Sequence, residues 1–170
     1  MLKTLNNKAQ IFSVDLIVAS IVFLFILVLS HTYSTEISNR IYFMEQESQR
    51  INSAQDAVNS LLYSSGYPAN WHNLSSPLGI SSLGIVKTRN IIDAEKISRL
   101  EDFNSSYYDE VRSLLGVGKY GLRISLIDMD TKNSLAEFGL EPSSTDKVSS
   151  VNRIAFYEGS EVLLRVKVFE

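Results

Sequence analysis

The sequence predicts an α+β protein in which a long N-terminal helix packs on a small antiparallel sheet. Three observations carry that prediction. Residues 11–29 are an apolar run whose only charge is Asp15, no Pro or Gly occurs between positions 10 and 65, and several segments after position 119 alternate apolar and polar residues.

The apolar run comes first in the chain. Its 19 residues, at a rise of about 1.5 Å each, give a helix of roughly 28 Å, close to the hydrocarbon thickness of a bilayer. A secretory signal has a shorter apolar core of about 7–15 residues and a small-residue cleavage site on its far side. Here the far side reads Ser30-His31-Thr32-Tyr33-Ser34, and the small residue, Ala9, lies on the basic side. A cut there leaves the helix attached to the mature protein.

Lys8-Ala9-Gln10 followed by this helix resembles the archaeal type IV pilin-like proteins, which carry a class III signal peptide. The resemblance implies cleavage by a prepilin-type peptidase after Ala9, with Gln10 as the first mature residue. It also implies an acid near the fifth mature position. Asp15 is the sixth after a cut at Ala9 and the fifth after a cut at Gln10, and the Ala9/Gln10 bond is the preferred reading because Ala suits the cleavage point. The alternative is an uncleaved N-terminal anchor.

The acid has a physical role of its own. A carboxylate at the centre of a transmembrane helix costs about 2.5–3.5 kcal/mol and is rarely left unpaired. Cleavage before Gln10 would release an α-amino group, protonated at neutral pH, about one and a half turns from Asp15. In staggered helices one subunit's amine meets its neighbour's carboxylate in a low dielectric, and the resemblance implies that this pairing sets assembly register.

Orientation follows from the flanks. Lys3 and Lys8 precede the run with no acid in the first ten residues, whereas the first Arg after it is Arg40. The positive-inside rule places the head in the cytoplasm and the C-terminal part outside the cell. The expected division is a leader, 1–9, a transmembrane and assembly helix, 10–35, and an extracytoplasmic globular domain, 36–170. Two sequons, Asn73-Leu74-Ser75 and Asn104-Ser105-Ser106, make Asn73 and Asn104 possible N-glycosylation sites.

Charge and composition narrow the partners. The net charge is −3, and setting aside Lys3, Lys8 and Asp15 from 16 basic and 19 acidic residues leaves 14 and 18, a net of −4 outside. No basic stripe suggests nucleic acid, and no polybasic cluster suggests anionic lipid headgroups. The chain has no Cys, so the exterior domain depends on its own core.

The helix is expected to continue past the membrane. Ile37, Ile41, Met44, Ser48, Ile51, Gln55, Val58 and Leu62 follow a 4-3 spacing, widened by Ala54 and Leu61. One continuous helix of about 50 residues is the favoured reading, and a break near His31-Thr32-Tyr33-Ser34 the alternative. Gly66 is expected to supply a left-handed cap and Pro68 to prevent continuation. Trp71, the only Trp, is read as closing the core beside that helix end.

Two short helices follow. The first spans 93–100 with Ile97 and Leu100 as apolar contacts; the second starts from Ser105 or Ser106 as cap and runs through Val111 and Leu115 to Gly116. Strands are expected at 120–127, 135–138, 151–157 and 162–169, with a turn at Asp130-Thr131-Lys132-Asn133, an exposed loop over 141–146 and a terminal hairpin around Glu158-Gly159-Ser160. This makes an antiparallel sheet of three or four strands on the upper half of the helix, the arrangement shared by type IV pilin-like folds.

Catalytic motifs fail on context. Gly116-Val117-Gly118-Lys119-Tyr120-Gly121 matches G-x-G-x-x-G but follows a helix and precedes a strand, the reverse of a dinucleotide site. Asp128-Met129-Asp130 opens like a calcium loop but has Lys132 at the third ligand position. With two His, no Cys and no spaced carboxylate pair, neither a zinc site nor a nucleophilic triad has candidates. No enzyme activity and no cofactor are expected.

The sequence therefore reads as a structural or accessory subunit of an archaeal type IV pilus-like surface filament or related assembly or secretion machine. By resemblance its partners are the prepilin-type peptidase, other pilin-like subunits, an assembly ATPase and a membrane platform protein, besides membrane lipid. The alternative is a single-pass anchored surface protein that binds or senses and does not polymerise.

Overall fold

A computed structural model describes the backbone from Lys3 onward and side chains from Val14 onward. The first helix, α1 (Lys3–Tyr63), runs 61 residues without interruption, so the continuous reading holds and the break near His31 does not occur. The chain divides into two compact units, Met1–Glu45 and Gln46–Glu170, with the boundary inside α1. In the first unit the helix is exposed wherever its side chains are described.

The second unit is an α+β layer pair. Its sheet contains β1 (Val86–Thr88), β2 (Ile91–Ile92), β3 (Gly121–Asp128), β4 (Ser134–Gly139), β5 (Val148–Tyr157) and β6 (Ser160–Phe169), in the order β1-β2-β5-β6-β3-β4. The four predicted strands are present, but the sheet has six strands and is mixed, because β2 joins β5 in parallel through Ile91 and Phe156. The extra strands have three and two residues, too few to show a two-residue period. Val162, Leu164, Val166 and Val168 of β6 are fully buried, as their shared face requires, and meet Leu122, Ile124, Leu126, Val151 and Ala155 from the flanking strands. Glu158 and Gly159, both at positive φ, form the two-residue hairpin turn, and Ser160 already belongs to β6.

The last turns of α1 share this core. Arg50, Ala54, Ala57, Val58, Leu61 and Leu62 are the buried positions, whereas Ile37, Ile41 and Met44 of the predicted stripe are exposed, as are Ser48, Ile51 and Gln55. The correction is a rotation of the stripe toward the two alanines, both fully buried. Arg50, 5% exposed, reaches the carboxylate of Glu170 at 3.5 Å.

The helix ends by tertiary rather than local capping. Leu61 O accepts from Ile85 N at 3.0 Å, and Ser60 Oγ donates to Leu83 O at 2.8 Å. Gly66 is not the cap: it lies beyond the helix end, at φ +81, where a Cβ would stand 2.6 Å from Trp71 Cδ1 and 2.9 Å from Ser82 O. Trp71 is fully buried, packs on Phe103 and donates its indole N–H to Gly84 O at 2.9 Å. It closes the core as expected.

Both short helices start later than predicted; the first is longer than expected and the second shorter. Helix α2 (Ala94–Phe103) starts with Asp93 accepting from Glu95 N at 3.1 Å, and buries Ile97, Leu100 and Phe103. Helix α3 (Tyr108–Leu114) has Tyr107 at its N-cap with no side-chain cap bond, so neither Ser105 nor Ser106 serves there. Tyr107 N already bonds to Phe103 O, which places both serines inside the turn joining the two helices.

Gly84 is buried at the seam, and a Cβ there would collide with the Ser64 carbonyl. Gly84→Ala is expected to destabilise the second unit by about 1–3 kcal/mol or more. Denaturant unfolding of the full chain in detergent micelles checks this, with Trp71 fluorescence as the reporter.

Candidate functional site

The candidate site is the exposed part of α1. An unbroken apolar run from position 21 to 29, at about 100° per residue, covers every face of the helix. Phe23 is 62% exposed and Leu29 53%, and the helix contains an 18-residue window with mean hydropathy 2.5 and none of it buried. This helix is long and apolar enough to cross a membrane. Two of its hydroxyls are satisfied within the helix: Ser20 donates to Leu16 O at 2.8 Å and Thr32 to Val28 O at 2.8 Å. Beyond them Thr35 and Ser38 bond back to His31 O and Ser34 O in the same way. Internal satisfaction of polar groups is what a hydrocarbon environment demands.

Asp15 is exposed on this helix and makes no hydrogen bond or ion pair among the described residues. Lys8, Ala9 and Gln10, the predicted processing positions, lie outside the residues whose side chains are described. The sequon residues are both exposed. Asn73 ends a short 3-10 turn, Trp71–Asn73, while the Asn104 side-chain oxygen accepts from Gly139 N at 2.7 Å.

Two polar features of the second unit escaped the sequence reading. His72 Nε2 meets Glu95 Oε2 at 3.1 Å, and Arg99 Nε donates to His72 O at 2.9 Å while its guanidinium reaches Asp102 at 3.2 Å. These contacts tie the Trp71–Asn73 turn to α2. His72 and Glu95 stand 23 positions apart, so no local spacing announced them. Among the described residues no three His, Asp or Glu side chains are placed to hold a metal.

The second feature is Lys96, 3% exposed in the core. Its ammonium donates to Ser65 O at 2.8 Å and Val86 O at 3.1 Å, bridging the chain after α1 to β1. Burial lowers its pKa from the ordinary 10.5, and Asp93 partly opposes that shift. A lysine on an amphipathic helix reads as solvent-facing, which hid this one.

The rejected motifs are structural. Gly116 and Gly118 turn α3 into β3 at positive φ. Asp128 accepts from Asp130 N and Thr131 N at 2.8 and 2.7 Å, and these bonds, led by that of Thr131, hold its pKa low. Its carboxylate organises a turn that extends from Asp128 to Asn133.

Lys96→Met would leave the buried Val86 carbonyl and the half-buried Ser65 carbonyl without their donor, at an expected cost of about 1–3 kcal/mol. Because the folded-state pKa lies below the unfolded one, the native protein is held back at neutral pH and gains stability as pH rises through the folded pKa toward 10.5. Denaturation at pH 7, 9 and 10 should therefore show the gap between native and Lys96→Met widening with pH. No family model, curated protein or solved structure matches this chain.

Proposed function

We propose that this chain is a membrane-anchored, type IV pilin-like subunit of archaeal type, a structural or accessory component of a surface filament or of a related assembly or secretion machine. The observation that supports this most is a single uninterrupted helix with two characters: apolar on every face at 21–29, and one-sided where it closes the core of an α+β domain at 50–62. A simple anchor needs only the first character. Here the same helix carries both characters.

The flanking residues fit this reading. Lys8-Ala9-Gln10 supplies the processing site for a prepilin-type peptidase, and cleavage there makes the helix the mature N-terminus. Asp15 is the one carboxylate in the apolar segment, and a neighbouring subunit's amine at Gln10 is its partner. Pairing within one chain is unfavourable, since five residues along a helix turn through about 500°, which places the two groups on different faces. The head lies in the cytoplasm, where the assembly ATPase and platform protein act, and the second unit lies outside.

Mass spectrometry of the native membrane-associated protein is expected to find Gln10 as its N-terminus. A chain that retains residues 1–9 throughout would instead be a plain single-pass anchor with a binding or sensing exterior. Asp15→Asn should leave cleavage intact and abolish incorporation into surface filaments, read by immunoblotting of sheared filaments against membranes. Normal incorporation would remove the register role of Asp15.

A further inference from the structure

The two long edges of the sheet are treated differently. On the β4 edge the outward backbone donors are covered by α2 and the residue after it: Glu137 N donates to Glu101 Oε1 at 3.0 Å, and Gly139 N to Asn104 Oδ1 at 2.7 Å. Such covering is how an edge avoids pairing with another chain.

The β5 edge lacks it. The antiparallel register with β6 and the two-residue turn direct the backbone groups of Tyr157, Ala155, Arg153, Val151 and Ser149 to β6, leaving those of the even-numbered residues aimed away. Phe156 confirms the parity, since its N–H bonds to Asn90 O on the other side at 2.8 Å. Beyond it β2 stops. The N–H groups of Val148, Ser150, Asn152 and Ile154 have no partner among the described residues, and all four residues are exposed. Of their carbonyls only that of Asn152 is engaged, by the neighbouring Arg153 guanidinium at 3.2 Å. No Pro interrupts the segment, and no charged side chain stands in this outward row.

We propose that β5 pairs antiparallel with β5 of a second copy of this chain, across a twofold axis at Val151. The register is self-complementary. It sets Val148 opposite Ile154 and Ser150 opposite Asn152 on the outer face, and Ser149 opposite Arg153 on the inner face, so no like charges meet. Its centre is also the centre of the open window, which is bounded by Phe156, engaged by Asn90, and by Lys147, whose N–H turns back to Glu170 O. The pairing extends an apolar row already present on the outer face, where Ile154, Leu163 and Ile127 lie side by side, to Val148 of the copy. Strand addition of this kind draws affinity from the backbone and selectivity from alternate side chains.

The proposal does not depend on leader processing or on filament formation. Because the chain has no Cys, Ser150→Cys and Asn152→Cys each carry a single thiol. Hydrogen-bonded antiparallel neighbours sit about 5.5 Å apart at Cα, inside disulfide range. Under mild oxidation of the full chain in detergent micelles, a mixture of the two variants should give several-fold more linked dimer than either variant alone. Ser150→Pro removes one outward donor without touching the β5–β6 ladder, and should weaken dimerisation at least tenfold by light scattering with the melting temperature unchanged. Equal linkage in single variants and mixture, dimers indifferent to Ser150→Pro, a monomer at all concentrations, or linkage in native membranes to a different protein would each overturn it.

Discussion

The rest of the second unit depends on one constraint: Leu61 and Leu62 in the last turn of α1 are buried, so a carbonyl there must find its donor away from water. A helix that ends in solvent leaves this to water or to a glycine cap. Here the partners come from the segments that follow. Ile85 N takes Leu61 O, the Lys96 ammonium takes Ser65 O, and the Trp71 indole takes Gly84 O from the strand of chain lying against the helix end. The first two of these bonds tie later segments to the helix end and the residues just after it, and the third closes the loop over 64–85 on itself. The helix end therefore acts as the point to which the loop over 64–85, α2 and β1 are fastened.

Lys96 shows what that constraint costs. Burying an ammonium is unfavourable, and its lowered pKa records the penalty. Two backbone carbonyls that would otherwise be unsatisfied offset it, one from each side of the seam. The arrangement is tolerated because the cation and the carbonyls solve each other's desolvation.

One helix carries two kinds of surface. At 21–29 hydrophobicity is uniform around the axis, and side-chain hydroxyls near that stretch bond back to the preceding turn. At 50–62 the pattern narrows to a stripe in which Ala54 and Ala57 are fully buried. The change from all-round to one-sided hydrophobicity distinguishes a membrane-spanning surface from a core-facing one. Within the second unit the same economy of polar groups separates the sheet edges, since side chains from α2 and Asn104 satisfy β4 while β5 is left with unsatisfied donors.

Much of this was legible in the chain. The apolar run, the absence of Gly and Pro to position 65 and the two-residue alternation of β3 and β6 determine the elements and the α+β class, because period and composition act locally. What lay beyond reach was whatever depends on residues distant in sequence. The true buried stripe of α1 was decided by the sheet it meets, so Ile37, Ile41 and Met44 were misassigned while Arg50 and Ala57 were not foreseen. Strands as short as β1 and β2 exist only because neighbouring strands offer them backbone partners, β5 to β2 and β2 to β1. The His72–Glu95 pair and the carbonyl cage of Lys96 likewise arise from chain crossings. The sequence by itself determined that a membrane-length helix leads into an α+β domain; tertiary structure alone decided which face of that helix is buried, how its end is capped and which sheet edge stays open, because all three are settled by hydrogen bonds and contacts between segments that no local pattern encodes.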